Sequence, residues 1–136
     1  MNINLRPNDY SFEQIKYWLH KHKSRFTFLS NYSIIETAYL AKNFITFEIK
    51  NKTIGYITFR KHDQNLYIDI MEINPYYRKR GYGYFFYNEV EREFVKMDVT
   101  NICLDAQPET SIRFWQKVGF LESYPDSGSF RKSLQL

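Results

Sequence analysis

Apolar residues early in the chain recur at helical spacing. Phe12, Ile15, Trp18 and Leu19 share one face, which predicts a helix. Ser11 and Gln14 fit the S-x-x-Q capping box, so that helix is expected to open at Ser11. A second cap, Ser33 with Glu36, is expected to open a helix over "SIIETAYLAKN". Ahead of both, "INLR" reads as a short strand stopped by Pro7. The period then changes. "FITFEIKN" and "TIGYITFRKH" read as strands around a turn at Asn51-Lys52. "NLYIDIMEI" alternates, which puts Leu66, Ile68 and Ile70 on one face and Tyr67, Asp69 and Met71 on the other. Beyond a break at Asn74–Gly83, Phe86, Val90 and Phe94 are spaced by four, so "YGYFFYNEVEREFVKM" is a helix. "NICLDAQ" is a strand. "TSIRFWQKVG" is a helix with Gly119 as its C-cap. "FLESY" and "SFRKSLQL" close the chain as a hairpin around Pro125–Gly128. The order β-α-α-β-β-β-α-β-α-β-β predicts an α/β chain of the mixed α+β kind, with a mixed sheet flanked by helices. At 136 residues, one domain over 1–136 is expected.

The break "NPYYRKRGYGYFF" concentrates unusual chemistry. The chain has five glycines, and Gly81 and Gly83 sit one residue apart here, after Arg78, Lys79 and Arg80. A strand ends, a Gly-x-Gly turn follows, and a helix begins. Free N–H groups and a positive dipole at a helix start favour an anion, phosphate above all. Glycine lets the backbone approach such a ligand. The plainer reading is a tight corner. Two familiar phosphate loops fit poorly. No G-x-x-x-x-G-K-[ST] string occurs, and Phe86 stands where a dinucleotide fingerprint needs its third glycine.

Composition changes this picture little. Hydrophobic residues make up 43% and charged residues 25%, as in ordinary globular chains. Cys103 is the only cysteine, so no intramolecular disulfide forms. It lies in the apolar run "NICLDA" and is expected in the core rather than as a nucleophile. No stretch approaches the ~20 apolar residues of a membrane span. The N-terminus lacks a signal-peptide core, and a cytoplasmic protein is expected. Net charge is +4, which suits any anionic ligand. The run "KYWLHKHKSRF" reads first as the solvated face and tail of an amphipathic helix. A nucleic-acid surface is the less favoured reading. His20 and His22 find no partners for a metal site, and no metal is expected.

Arg78-Lys79-Arg80-Gly81-Tyr82-Gly83 matches [QR]-x-x-G-x-[GA], and the chain here resembles the GNAT superfamily of N-acyltransferases at its acyl-CoA pyrophosphate loop. Ile73 and Pro75 stand where that family shows V-x-P. "FWQKVGF" (Phe114 to Phe120) resembles its FYxxxGF helix end. The element order is also similar, so the resemblance spans nearly the whole chain. It implies a central, mostly antiparallel sheet of about six to seven strands with about four helices. It implies acetyl-CoA as co-substrate, with the pyrophosphate on backbone N–H groups from Lys79 to Gly83 and on Tyr84 at the helix start. Pantetheine is expected to pair with Ile73 and Asn74, where the strand ends in a bulge. The strand "NICLDAQ" is expected to splay from it and admit the thioester.

Transfer to an amine implies a base, because a lysine-like amine has a pKa of ~10.4. Three carboxylates are candidates. Asp69 occupies a position where some polyamine-acetylating relatives carry a catalytic Glu. The alternative position in other relatives is Tyr67 here. Glu72 adjoins the expected bulge, and Asp105 ends the next strand. Each also reads as a solvated strand-end carboxylate. The family's usual acid, a Tyr, is replaced by Trp115, whose indole supplies no proton at a useful pKa. Tyr124, Tyr84 or water are the alternatives. Pro108 stands where relatives often carry an Asn that contacts pantetheine. The expected acceptor is a small-molecule or peptide amine. Dimers are common in the family, so a homodimer is compatible with this chain, although no segment marks one. A CoA-binding module with weak or no catalysis is the competing reading.

Overall fold

The computed structural model describes residues 1–25 and 27–134. Phe26 of the basic run, and Gln135 and Leu136 of the expected last strand, lie outside the described residues. The elements are β1 (Asn2–Asn4), α1 (Asp9–Lys21), α2 (Tyr32–Leu40), β2 (Phe44–Ile49), β3 (Lys52–His62), β4 (Asn65–Ile73), α3 (Tyr82–Lys96), β5 (Asn101–Asp105), α4 (Ile112–Lys117), β6 (Leu121–Glu122) and β7 (Ser129–Ser133). Short 3-10 turns occupy Phe28–Asn31 and Pro75–Tyr77, among others. The strands form one seven-stranded sheet in the order β1-β2-β3-β4-β5-β7-β6. Every neighbouring pair is antiparallel except β4 with β5.

The two early helices start sooner than their capping signatures predict. Asn8, not Ser11, caps α1, and its side chain accepts from the Ser11 backbone N–H at 3.0 Å. Gln14 reaches away and accepts from the Thr53 N–H at 3.0 Å. The α2 helix runs on directly from a 3-10 turn, with no side-chain cap. The β2–β3 turn falls on Lys50 and Asn51, both with positive φ (49° and 66°), one residue earlier than expected.

The sheet carries a core on each face. Ile15, Leu19, Ile35, Phe44, Tyr56 and Ile70 pack together under α1 and α2. Phe47, Ile57, Phe59, Ile68, Phe86, Val90 and Phe94 pack under α3. Gly119, at φ 104°, lies just past α4, and the Phe120 N–H returns to the Trp115 carbonyl at 3.0 Å.

One irregularity shapes the centre. Phe59 pairs with Ile68, but Thr58 pairs with Ile70, so Asp69 is an extra residue in β4. An extra residue exchanges the faces of everything beyond it. Leu66 and Ile68 therefore pack with α3, and Ile70 packs with α1 and α2. This corrects the expectation that all three share a face. It also moves the bulge from the strand end near Ile73 to Asp69. Pairing of β4 with β5 runs from Asn65↔Asn101 to Ile68↔Leu104 and goes no further, although both strands continue. The expected splay thus opens at the level of the bulge.

Candidate active site

The gap between β4 and β5 belongs to a cleft of about 380 Å³. Its apolar wall includes Met71, Ile73, Phe114 and Trp115. The β4 edge offers backbone donors to it. The Asn74 N–H goes to the Ile54 carbonyl on β3 at 2.7 Å. Antiparallel alternation then turns the N–H groups of Ile73 and Met71 away from β3 and toward the gap. The Asn74 N–H, by contrast, is taken by the sheet, and its side chain accepts from the Tyr76 N–H at 3.0 Å.

The glycine turn closes one end of the cleft. Lys79 and Gly81 have positive φ, 62° and 82°, and Gly81 is the N-cap of α3. The first helical bond runs from the Phe85 N–H to the Gly81 carbonyl at 3.2 Å. The N–H groups of Tyr82, Gly83 and Tyr84 precede it and have no helical acceptor. Lys79, Gly81, Gly83 and Tyr84 line the cleft. A Cβ on Gly83 would stand 3.4 Å from Phe114, 3.7 Å from Ile73 and 3.8 Å from Met71, all cleft residues. Two side chains of the turn point elsewhere. Arg80 lies over the Tyr77 ring at 6.0 Å, and Tyr82 packs edge-on to Phe47 at 6.1 Å. Neither lines the cleft. Arg78 folds inward, with Nε donating to the Ile73 carbonyl at 2.8 Å and Nη2 to Glu72 Oε2 at 3.0 Å.

This donor set fits a pyrophosphate and its pantetheine arm. Left-handed backbone at Lys79 and Gly81 turns N–H groups outward, and a glycine keeps the path clear at Gly83. Ser111, also on the cleft wall, has a buried hydroxyl oxygen with no hydrogen-bond partner among the described residues. A polar ligand would supply one.

The three carboxylates differ sharply. Asp69, at the bulge, is gripped by Arg60 through Nη2 at 2.9 Å and Nε at 3.1 Å, and it lines the cleft. Asp105 accepts from the Tyr67 hydroxyl at 2.5 Å and from Ser129 Oγ at 2.7 Å. Those two bonds, Tyr67 first, hold its carboxyl below the ordinary aspartate range. Burial, then the Asp105 bond, pushes the Tyr67 phenol up to about 12. Glu72 is buried and accepts from the Tyr56 hydroxyl at 2.7 Å, the Phe28 N–H at 3.2 Å and Arg78. Burial pushes its carboxyl up, while Tyr56, the Phe28 N–H and Arg78 pull it back down.

Trp115 is buried and meets Tyr87 and Phe120 edge-on at 5.6 and 5.3 Å. Tyr124 is exposed and lies outside this cleft, in a neighbouring groove with Tyr67, Asp105 and Ser129. Tyr84 is exposed, with Lys117 Nζ 4.9 Å from its ring centre. Cys103 is exposed rather than in the core, because β5 turns odd-numbered residues outward. Arg60 and Ser129 were not anticipated. Arg60 was accessible by counting back through the β3–β4 hairpin, which sets it opposite Tyr67. Among the described residues, no group of three or more His, Cys, Asp or Glu side chains could hold a metal ion. No helix among them is long and apolar enough to cross a membrane.

The model of the acetyltransferase (GNAT) family matches residues 5–120. No curated protein sequence matches the chain. Solved structures share the fold at low identity. The PaiA N-acetyltransferase from Thermoplasma acidophilum, in complex with coenzyme A, is 17% identical with a TM-score of 0.72, covering 98% of this chain and 100% of that one. Tetrahymena GCN5 is 14% identical with a TM-score of 0.76, covering 99% and 97%. An aminoglycoside 6'-N-acetyltransferase complexed with coenzyme A is 14% identical with a TM-score of 0.74, covering 100% and 98%.

Proposed function

Because this chain belongs to the acetyltransferase (GNAT) family, we propose that it moves an acetyl group from acetyl-CoA to a primary amine by direct attack in a ternary complex. The observation that carries this reading is the cleft itself. It joins a splayed β4–β5 edge to the donor-rich turn at Gly81. The N–H groups of Tyr82, Gly83 and Tyr84, with Lys79, hold the pyrophosphate. The Ile73 and Met71 N–H groups meet the pantetheine arm and the thioester oxygen, where a donor stabilises the tetrahedral oxyanion. Relatives of this fold with coenzyme A bound support the cofactor assignment.

Asp69 is the base we favour. It sits at the bulge, beside the gap, on an anchor that fixes its direction. It takes a proton from the ammonium form of the acceptor, directly or through water. The freed nitrogen attacks the acetyl carbon, a C–N bond forms, and the C–S bond breaks. The nitrogen of the adduct passes its second proton to a water molecule, and water in turn gives one proton to the departing thiolate. Asp105, held anionic, attracts the incoming ammonium. The acceptor is a small-molecule or peptide amine.

The competing reading is a coenzyme A-binding module with little turnover. Trp115 and Tyr67 favour it, since neither offers the acid or base that related positions carry. The test is calorimetric titration of acetyl-CoA into wild type and Gly83→Asp, followed by an amine and peptide panel. Micromolar-class binding that collapses in the variant supports the site. A folded wild type that binds nothing removes both readings. Tight binding without turnover over the whole panel favours the module.

A further inference from the structure

The Glu72 carboxylate holds both walls of the cleft at once. On one side it accepts the Phe28 N–H, 3.2 Å from each of its oxygens. Phe28 opens the 3-10 turn that leads into α2, and its side chain lines the cleft. On the other side it accepts Arg78 Nη2 at 3.0 Å. Arg78 ends the 3-10 turn Pro75–Tyr77, grips the Ile73 carbonyl, and immediately precedes the left-handed Lys79. The Tyr56 hydroxyl, fully buried in the sheet, fixes the carboxylate from below at 2.7 Å. The Glu72 side chain is 2% exposed, so these bonds face little competition from water.

We infer that Glu72 is a positioning residue that couples the glycine turn to the Phe28 turn, so that filling the cofactor end of the cleft orders the opposite wall at Phe28. It rests on the acetyl-CoA reading only for the identity of the ligand. The physical argument is linkage. A ligand on the N–H groups of Tyr82 to Tyr84 restrains the turn that begins at Arg78. A restrained Arg78 keeps Glu72 in one place. Glu72 in one place keeps the Phe28 N–H bonded. Coupling of this kind is reciprocal, so an acceptor that orders the Phe28 turn tightens the cofactor end by the same factor. A merely structural ion pair would stabilise the fold without passing ligand binding to Phe28.

The experiment is residue-resolved amide hydrogen exchange by NMR, with and without saturating coenzyme A. The proteins are wild type, Glu72→Gln and Arg78→Gln. In wild type, coenzyme A should slow exchange at the Phe28 N–H by about fivefold or more, the lower end of typical coupling factors. In either variant that slowing should fall below about twofold while coenzyme A still binds. Should Glu72→Gln fail to fold, Arg78→Gln carries the test, since Arg78 is one-third exposed. Wild type that binds coenzyme A with no change at Phe28 overturns the coupling, as does a folded variant in which the slowing persists. Failure of wild type to bind coenzyme A defeats the acetyl-CoA reading instead. The coupling is then judged in the free protein. Arg78→Gln should speed exchange at Phe28 by about fivefold more than at Val90 in α3. Equal acceleration at both amides overturns it.

Discussion

The Tyr67 hydroxyl donates to Asp105 Oδ2 at 2.5 Å, tying β4 to β5 just where their backbone pairing runs out. Two strands that part need a fixed point at the fork, and this bond supplies one on the face that carries Asp69. Arg60 completes the arrangement, with its guanidinium 4.7 Å from the Tyr67 ring centre and bonded to Asp69. Asp69 and Asp105 place two carboxylates at the fork, with Arg60 bonded to one and Arg131 lining the groove beside the other, and the carboxylates are the groups that would draw an incoming ammonium.

That bond gives a pH signature. Asp105 has a lowered folded-state pKa, so its stabilisation is full above the unfolded value of 3.8 and is lost as pH falls through the folded one. Tyr67→Phe removes the largest cause. The variant should be less stable at pH 7 by at most about 1 kcal/mol, because Asp105 is exposed and screened. The gap should narrow below about pH 4, where the unfolded carboxyl begins to take up protons. Urea midpoints at pH 7 and pH 3 measure it. An equal gap at both would mean that the phenol acts through packing alone.

The two glycines of the turn should respond to alanine in opposite ways. Gly81 has a left-handed φ of 82° and open space around it, so Gly81→Ala pays in backbone strain alone. The expected loss is about 1–2 kcal/mol in thermal or urea unfolding. Gly83 lies inside α3 with an ordinary φ, and its new methyl would enter the cleft beside Phe114. Gly83→Ala should keep or raise stability, since alanine favours helix by about 1 kcal/mol. It should weaken acetyl-CoA binding. A Gly83→Ala protein that binds as tightly as wild type would take the cofactor away from this wall.

Asp69 and Asp105 should separate kinetically. Once an acceptor is found, Asp69→Asn should lower kcat by about 10²- to 10⁴-fold and leave acetyl-CoA affinity intact. Asp105→Asn should mainly raise the acceptor KM, because its assigned work is attraction of the ammonium. Initial rates over both substrates make the distinction. The reverse pattern would transfer the base to Asp105.

How much of this was readable in advance follows from how local each feature is. The glycine turn is written in consecutive residues, so its place before a helix was legible, but the left-handed φ at Lys79 was not. The helix periods and the alternation of β4 as far as Ile68 were legible for the same reason. The bulge at Asp69 was not. It arises from the pairing of β3 with β4, and no residue type in "NLYIDIMEI" marks it. Everything beyond it on β4 therefore changed face, and the surroundings of Glu72 changed too. Its contact with Phe28 spans 44 residues, a distance no motif covers. The α1 cap was misplaced because "NDYS" offers Asn8, Asp9 and Ser11 as capping residues, and the first of them won.

The last prediction concerns the leaving thiolate. Trp115 fills the position where the resemblance implies a tyrosine, and it is packed rather than idle. Its ring meets Phe114, Phe120 and Tyr87 edge-on at 5.0, 5.3 and 5.6 Å. Trp115→Tyr shrinks the side chain in a filled core and should cost about 1–2 kcal/mol of stability. It also places a phenol, an ionisable donor, where an indole stood. If the proposed turnover is limited by protonation of the thiolate, the variant should gain in kcat at neutral pH, and the gain should fade toward pH 10 as the phenol ionises. The measurement is kcat from pH 6 to pH 10 on folded variant and wild type. A folded variant with an unchanged or lower kcat would show that water already protonates the thiolate fast enough, and Trp115 would then be there for packing alone.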